Sequence, residues 1–343
     1  MNIVVLCAGI STEREVSINT GSKVCEALRS KGHNAVMLDV YFGTKNTDIF
    51  EQAAKAYDIE AAKEEINSYN CLVEETKKSR NTFFGENVIE ICKMAEVVFM
   101  ALHGENGENG KVQATFDLMG IKYTGTGCLG SAMAMDKAVS KQIFMSNNIP
   151  TPKGVWLKKG EQDSLADIGM SVPCVVKPCC GGSSVGVTIV ENEEEYKKAL
   201  EESFRYEDEV LIEQYVAGRE FSIGVIDGEP LPIIEIIPKE GFYDYKNKYI
   251  PGMTEDICPA VLSEEQTKKM QKIAVDVYHV LKLESYGRID VLMEEDGSMY
   301  CLEANTLPGM TATSLLPQEA LAIGISFPEL CHMLIEKSLE KYK

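Results

Sequence analysis

Residues 2–40 read NIVVLCAGISTEREVSINTGSKVCEALRSKGHNAVMLDV, and this stretch decides how the fold begins. An apolar run (Ile3–Leu6) ends in a glycine turn at Gly9, a segment of helical periodicity follows, and a second apolar run (Ala35–Val40) closes the unit. Strand, turn, helix, strand, with continuous rather than alternating apolar strands, is the pattern of a parallel sheet covered on both faces. Further on, AEVVFMALHG (95–104) reads as another buried strand ending near His103, before the acidic glycine loop GENGENG and a helix over 111–120. An α/β N-terminal domain with a doubly wound parallel sheet is expected over residues 1–136. Residues 41–93 are polar, charged and weakly helical and read as an insertion or a covering surface.

Beyond the prolines of NIPTPKG (148–154) the pattern changes to α+β. The strand VPCVVKP runs into the loop CCGGSSVG, and strands around 209–216 and 220–238 precede a helix over 263–282 and a hairpin. SFPELCHMLIEKSLEKY (326–342) is an amphipathic helix, and SAMAMDKAVSKQIFMSNN (131–148) is expected to be one continuous helix.

The 343 residues suffice for more than one core, with 45% apolar content. Thirty-four basic against 53 acidic side chains give a net charge of −19, which argues against nucleic acid or an anionic membrane as a bulk partner. Any phosphate ligand must then be met by locally placed lysines, amide groups or metal. No apolar run approaches the about 18 residues of a membrane span, and Met1 leads straight into a strand, so neither a leader nor a membrane segment is expected. The 11 cysteines are scattered except for the adjacent Cys179 and Cys180, and neither they nor the four histidines have zinc-ligand spacing. Free thiols in a reducing cytoplasm are expected.

The segment GRIDVLMEEDGSMYCLEAN (287–305) carries the most chemistry. Asp296-Gly297 predicts a two-residue hairpin turn. That register sets Asp290 opposite Glu303 and Arg288 opposite Asn305, all on one face, with Ile289, Val291, Leu302 and Ala304 on the other. Two carboxylates and an amide oxygen at cross-strand distance suit a hard cation such as Mg²⁺. A solvated strand face is the simpler account, but two unpaired acids facing each other repel. The following loop, NTLPGMTATS, offers backbone N–H groups to an anion. Lys177 ends a buried strand just before CCGGSSVG, a placement that sets one cation and several amides on phosphates, although no Walker A pattern occurs. Gly125-x-Gly127-x-x-Gly130 matches the dinucleotide pattern, yet Pro150 rather than an acid follows about 20 residues later, so a turn and helix start are expected there. His103 and Glu13 both follow strands, where open α/β sheets place ligands.

Taken together, STEREVS, LHGENGENG, AMDK, VVKPCCGGSSVGV, IEQYVAGREFS, FYDYKNKY, GRIDV and LEANTLPGMTATSLLP resemble the D-alanine–D-alanine ligases of the ATP-grasp superfamily, over essentially the whole chain. The resemblance implies an ATP-grasp fold of two α+β lobes (137–219 and 220–343) after the first domain. It also implies ATP held with two Mg²⁺ ions, which Mn²⁺ could replace, and two D-alanines joined through a D-alanyl phosphate for peptidoglycan precursor synthesis. A cytoplasmic homodimer is expected. Lys137, Lys177, Ser184 and Lys248 would hold the nucleotide, with Glu213, Tyr215 and Val216 at adenine and Glu220 at the ribose. Asp290, Glu303 and Asn305 would ligate metal. Glu13, helped by His103 and Glu108, would take the first D-alanine, and Ser314 and Leu315 the second. Ser183 and Tyr249 would close over the substrates, and Arg288 with the Gly309 N–H would form the oxyanion hole. Tyr249 favours the dipeptide over the D-lactate or D-serine product.

Overall fold

A computed structural model describes residues 1–161, 164–182, 185–239 and 253–343. The chain forms two compact units: Met1–Leu129 with Leu283–Gly287 and Thr306–Lys343, and Gly130–Lys282 with Arg288–Asn305.

The first unit is built on three parallel strands, β1 (Asn2–Cys7), β2 (Asn34–Asp39) and β3 (Val97–Met100), in the order β2-β1-β3. Every residue of β3 is buried and β1 is buried from Ile3 onward, which is why these strands read as unbroken apolar runs. Helix α1 (Arg14–Ser30) makes the crossover between β1 and β2. One core joins Val4, Leu6, Val36, Val98, Phe116 and Tyr123. Truncating the fully buried Phe116 to alanine would cost about 3–5 kcal/mol. The polar stretch 41–93 forms short helices at Ile49–Lys55, Ile59–Ser68, Val73–Ser79 and Val88–Met94. Phe50, Ala53, Val88 and Ile91 from it enter the same core, so it is part of the unit rather than an appendage.

The second unit holds two antiparallel sheets. β4 (Gly154–Lys158), β5 (Cys174–Pro178), β6 (Thr188–Val190) and β7 (Glu209–Gln214) pair in the order β4-β7-β5-β6, and the helix Glu193–Ser203 adds Tyr196, Ala199 and Leu200 to their core. β8 (Arg219–Ile226), β9 (Glu229–Pro230), β10 (Ile234–Pro238), β11 (Thr254–Ile257), β12 (Tyr286–Met293) and β13 (Met299–Asn305) form the other, in the order β11-β10-β8-β12-β13 with β9 on β8. The helix Glu264–Val280 starts with a capping box between Ser263 and Gln266.

Three expectations change. Residues 306–343, expected in the last lobe, fold with the first unit, so the chain returns to its beginning. The single helix expected over 131–148 is two, Cys128–Met135 and Lys137–Ser146. Asp136 breaks it by turning its carboxylate onto the Ala138 and Val139 N–H groups, each at 3.0 Å, as an N-cap. The hairpin loop has three residues rather than two: Glu294 N–H donates to Ser298 O at 2.9 Å, and Gly297 takes the left-handed conformation (φ +84°) that closes such a loop. That turn sets Met293 against Met299 and Val291 against Cys301, one residue off the expected register. A β-bulge between Asp290 and Val291 restores it, so that Asp290 faces Glu303 and Arg288 faces Asn305 as expected.

Among the described residues no helix is long and apolar enough to cross a membrane.

Candidate functional site

The acids of the β12–β13 hairpin are held by their own counterions. Asp290, nearly buried, accepts from Arg288 Nε at 2.9 Å, Arg288 Nη2 at 2.8 Å, Ser222 Oγ at 3.0 Å and Asn305 Nδ2 at 3.0 Å. Glu303 pairs with Lys137 Nζ at 3.1 Å. Lys137 also donates to Gly181 O at 2.7 Å, tying the first turn of its helix to the glycine loop after β5. Burial works against the charge on Lys137, but Glu303 outweighs it and lifts its pKa above the usual lysine value. The predicted Asp290, Glu303 and Asn305 set is therefore brought together on one hairpin.

In the same unit, Glu213 on β7 is buried between two lysines, paired with Lys177 of β5 and with Lys141 at 2.6 Å. Burial pushes the Glu213 carboxyl up, yet Lys177 and then Lys141 draw it below the usual carboxylate range. Lys141 is only 2% exposed; burial depresses its pKa, partly offset by Glu213, and it also donates to Thr151 Oγ1 at 2.8 Å and Pro152 O at 2.5 Å. Sequence reasoning missed Lys141. The signal was present, because Lys137 and Lys141 stand four apart on one helix and share a face. Glu213, expected at adenine, pairs with both lysines. Tyr215 follows β7 with its ring exposed and its N–H donating to Pro173 O at 3.3 Å, Val216 is buried, and Glu220 lies half-buried on β8 opposite Ile236.

In the first unit, Glu13 lies buried in the turn after β1. Its N–H donates to Ser11 Oγ at 3.2 Å, and Ser11 Oγ donates to His103 O at 2.7 Å, so the loops after β1 and β3 are stitched together. Gly104, with φ +75°, leaves room for this: a Cβ there would stand 2.9 Å from Glu13 Oε2. His103 uses both ring nitrogens, Nδ1 at 3.1 Å from Leu307 O and Nε2 at 2.9 Å from Thr20 Oγ1. A carbonyl only accepts, so Nδ1 carries a proton, and in the neutral form of the ring Nε2 is left to accept from threonine. Glu108 accepts from Gly104 N–H at 2.6 Å and thereby closes its own glycine loop.

Arg14, beside Glu13, was not singled out by its sequence. Its guanidinium donates to Asp39 Oδ2 and Gly9 O, each at 2.6 Å, to Asn70 Oδ1 at 2.7 Å and to Ile66 O at 3.2 Å. Two of those acceptors belong to the 41–93 stretch, which thus anchors the Glu13 turn. Gly309 lies close to Ser314, whose Oγ would be 2.9 Å from an added Cβ. Ser314 Oγ accepts from Thr311 N–H at 3.1 Å, and Ser314 stands at the N-cap position of the helix Leu315–Ala322 without a side-chain capping bond, with Leu315 buried. Ser183, Ser184, Lys248 and Tyr249, together with Tyr243 and Tyr245, lie outside the described residues.

Two carboxylates and an amide oxygen fit a hard cation, and among the described residues no cluster of three or more His, Cys, Asp or Glu side chains offers a closed metal cage. Such a partial set leaves coordination positions for phosphate oxygens and water.

The N-terminal profile of D-Ala–D-Ala ligases matches residues 2–126 and the C-terminal profile residues 147–336. The chain belongs to the D-alanine–D-alanine ligase family. A curated member from Pediococcus pentosaceus is 43% identical over 98% of this chain and 97% of its own length. The D-alanine–D-alanine ligase of Lacticaseibacillus casei is 41% identical over 100% of this chain and 97% of its own. Among solved structures, the Bacillus anthracis ligase complexed with ATP superposes with a TM-score of 0.77 at 31% identity, covering 99% of this chain and 98% of that one. Family membership accounts for the parallel sheet followed by antiparallel α+β lobes.

Proposed function

We propose that the chain joins two D-alanines to D-alanyl-D-alanine at the expense of ATP, releasing ADP and phosphate and supplying a peptidoglycan precursor. The observation that carries this reading is the cross-strand pairing of Asp290 with Glu303, with Arg288 and Asn305 opposed two pairs along, next on the same face, and Lys137 on Glu303. A non-catalytic nucleotide module needs no such pair of acids.

Lys137 and Lys177 meet the β- and γ-phosphates, with Ser184 and Lys248 completing the cradle. Tyr215, Val216 and Glu220 line the adenosine, and Glu213 acts there through the two lysines that it orients. Asp290, Glu303 and Asn305 would hold Mg²⁺, which would screen phosphate charge. The carboxylate of the first D-alanine attacks the γ-phosphoryl group, so that catalysis is mainly positioning and charge stabilisation. Glu13 holds the ammonium of that D-alanine, and His103 and Glu108 keep the surrounding loops in place. Ser183 and Tyr249 close over the substrates. The amine of the second D-alanine, seated by Ser314 and Leu315, then attacks the acyl phosphate. Arg288 and the Gly309 N–H are assigned the tetrahedral oxyanion, each such donor being worth about 3–4 kcal/mol in the transition state. The two sheets of the second unit correspond to the two ATP-grasp lobes. The protein works as a cytoplasmic homodimer.

ADP release measured across D-alanine, D-serine, D-lactate and L-alanine tests the reading. D-alanine alone is expected to support rapid turnover at neutral pH. Equal turnover with D-lactate would overturn the assigned product.

A further inference from the structure

Cys179 and Cys180 follow β5 directly, in a bend rather than an extended strand, so their side chains need not point to opposite faces. Both pack on one small cluster with Ala138, Leu211 and Trp156, the only tryptophan of the chain. The same three carboxylates, Asp136, Glu207 and Glu209, act electrostatically on both thiols, opposed at Cys180 by Lys137. Cys179 is buried and Cys180 half-buried, so one thiol is reachable and the other lies behind it. The backbone around them holds phosphate-side groups: Lys137 N–H donates to Cys179 O at 2.9 Å, Lys137 Nζ to Gly181 O at 2.7 Å, and Cys180 N–H to Glu207 Oε2 at 2.8 Å.

We propose that Cys179 and Cys180 form a two-thiol site for trivalent arsenicals, and that filling it stops nucleotide use by pulling the Gly181 carbonyl away from Lys137. The chemistry balances without a redox partner. An arsenoso group R–As=O condenses with two thiols to R–As(SR′)₂, two As–S bonds replace the As=O bond, and both thiol protons leave with the oxygen as water. A ring closed across adjacent residues constrains the peptide between them, and that peptide leads directly into Gly181. Burial, reinforced by the nearby acids, pushes the Cys180 thiol up to about 12 and the Cys179 thiol higher still. A raised thiol pKa slows every attack that goes through the thiolate, on arsenic as on an alkylating agent, but the overall condensation takes up thiols and releases water with no net proton change, so the finished adduct is not weakened at neutral pH. No other cysteines are adjacent in the sequence. Cys7 and Cys25 lie near each other but both are fully buried. Cys71, Cys128 and Cys258 are reachable and serve as single-thiol controls.

The blocking of turnover rests on the ligase reading; the binding does not. Full-length protein is treated with one equivalent of phenylarsine oxide, then followed by intact mass and by Trp156 fluorescence. One phenylarsenic per chain is expected, with a change in tryptophan emission, surviving excess 2-mercaptoethanol and removed by 2,3-dimercaptopropanol. Cys180→Ser and Cys179→Ala should each lose the monothiol-resistant adduct. The triple change Cys71→Ser, Cys128→Ser, Cys258→Ser should keep it. A resistant adduct that persists in Cys180→Ser, or none in the unaltered protein, overturns the site. D-alanine-dependent ADP release should fall more than tenfold in the adduct and return with the dithiol. Full activity in a stoichiometric adduct overturns the coupling to Lys137. A protein that never turned over D-alanine would fail the ligase reading instead, while mass and fluorescence would still decide the site.

Discussion

Two buried ion clusters, one in each unit, differ in charge count, and the difference separates scaffold from site. Around Arg14 there is one cation and one anion, and the set is closed. The guanidinium spends its donors on Asp39, Gly9, Asn70 and Ile66, while Asp39 Oδ1 accepts from the Tyr41 N–H at 2.8 Å and the Phe42 N–H at 3.2 Å. Around Glu213 there are two cations for one anion, and nearby Lys137 and Arg288 each hold an acid of the hairpin. A balanced, fully hydrogen-bonded pair stabilises one geometry and asks for no ligand. A buried excess of positive charge is costly unless an anion arrives, so the second cluster is prepared for phosphate. In a chain of net charge −19 that local reversal of sign is what admits a nucleotide.

The comparison breaks most visibly at Glu303. Glu303→Ala should lower ADP release by at least about 10²–10³-fold, the scale on which losing a charge-stabilising group acts in a polar transition state. The melting temperature should stay within a few degrees, because Glu303 is partly exposed and belongs to the open set. A near-normal rate would remove the metal assignment, and a collapsed melting temperature would mean that the hairpin acids hold the fold.

Arg14→Met is the opposite test. Removing the cation strands a buried Asp39 carboxylate, a loss of about 3–5 kcal/mol in urea unfolding. Because Arg14 also holds Asn70 and Ile66, protection of the 41–93 amides from hydrogen exchange should fall as well. Arg14→Met with Asp39→Leu should recover part of the loss, since the stranded charge is then gone. Unchanged stability in the single variant would mean that the closed cluster contributes nothing to the scaffold.

What the sequence made legible divides along the same line. Asp290, Glu303, Asn305 and Arg288 were readable because they lie within 18 residues on two strands of period 2, and local periodicity needs no tertiary information. Even there the loop was misjudged by one residue, and the site register survived only through the bulge at Asp290/Val291. Arg14 with Asp39 and Asn70 was not readable, since its partners stand 25 and 56 residues away and nothing local pairs them. The return of residues 306–343 to the first unit is non-local for the same reason. The parallel sheet was legible from its unbroken apolar runs, while the contribution of 41–93 was hidden because only scattered residues such as Phe50 and Ile91 reach the core.

The smallest effect, and the one that sharpens the comparison furthest, comes from removing one lysine of the surplus. Lys177→Met leaves Lys141 and Glu213 as a balanced pair, so stability at pH 7 should change far less than in Arg14→Met, although both variants delete a buried cation. The ATP KM should rise about 10–100-fold, matching the about 1.5–3 kcal/mol of one charged hydrogen bond. Acid titration supplies the second readout. Burial raises the Glu213 carboxyl, but Lys177 and Lys141 win and hold it below its ordinary 4.5. A carboxyl depressed on folding stabilises fully above that ordinary value, and the stabilisation disappears as pH falls through the lower folded value, where protons are taken up first by the unfolded chain. Lys177 supplies the first of the charge attractions that lower it, so deleting it shrinks the depression, and the variant should lose less stability than the unaltered protein between pH 4.5 and the acid limit. An acid profile identical in both proteins would show that Lys141 alone sets the Glu213 charge, and the surplus assigned to phosphate would then reside on a lysine that the fold does not use.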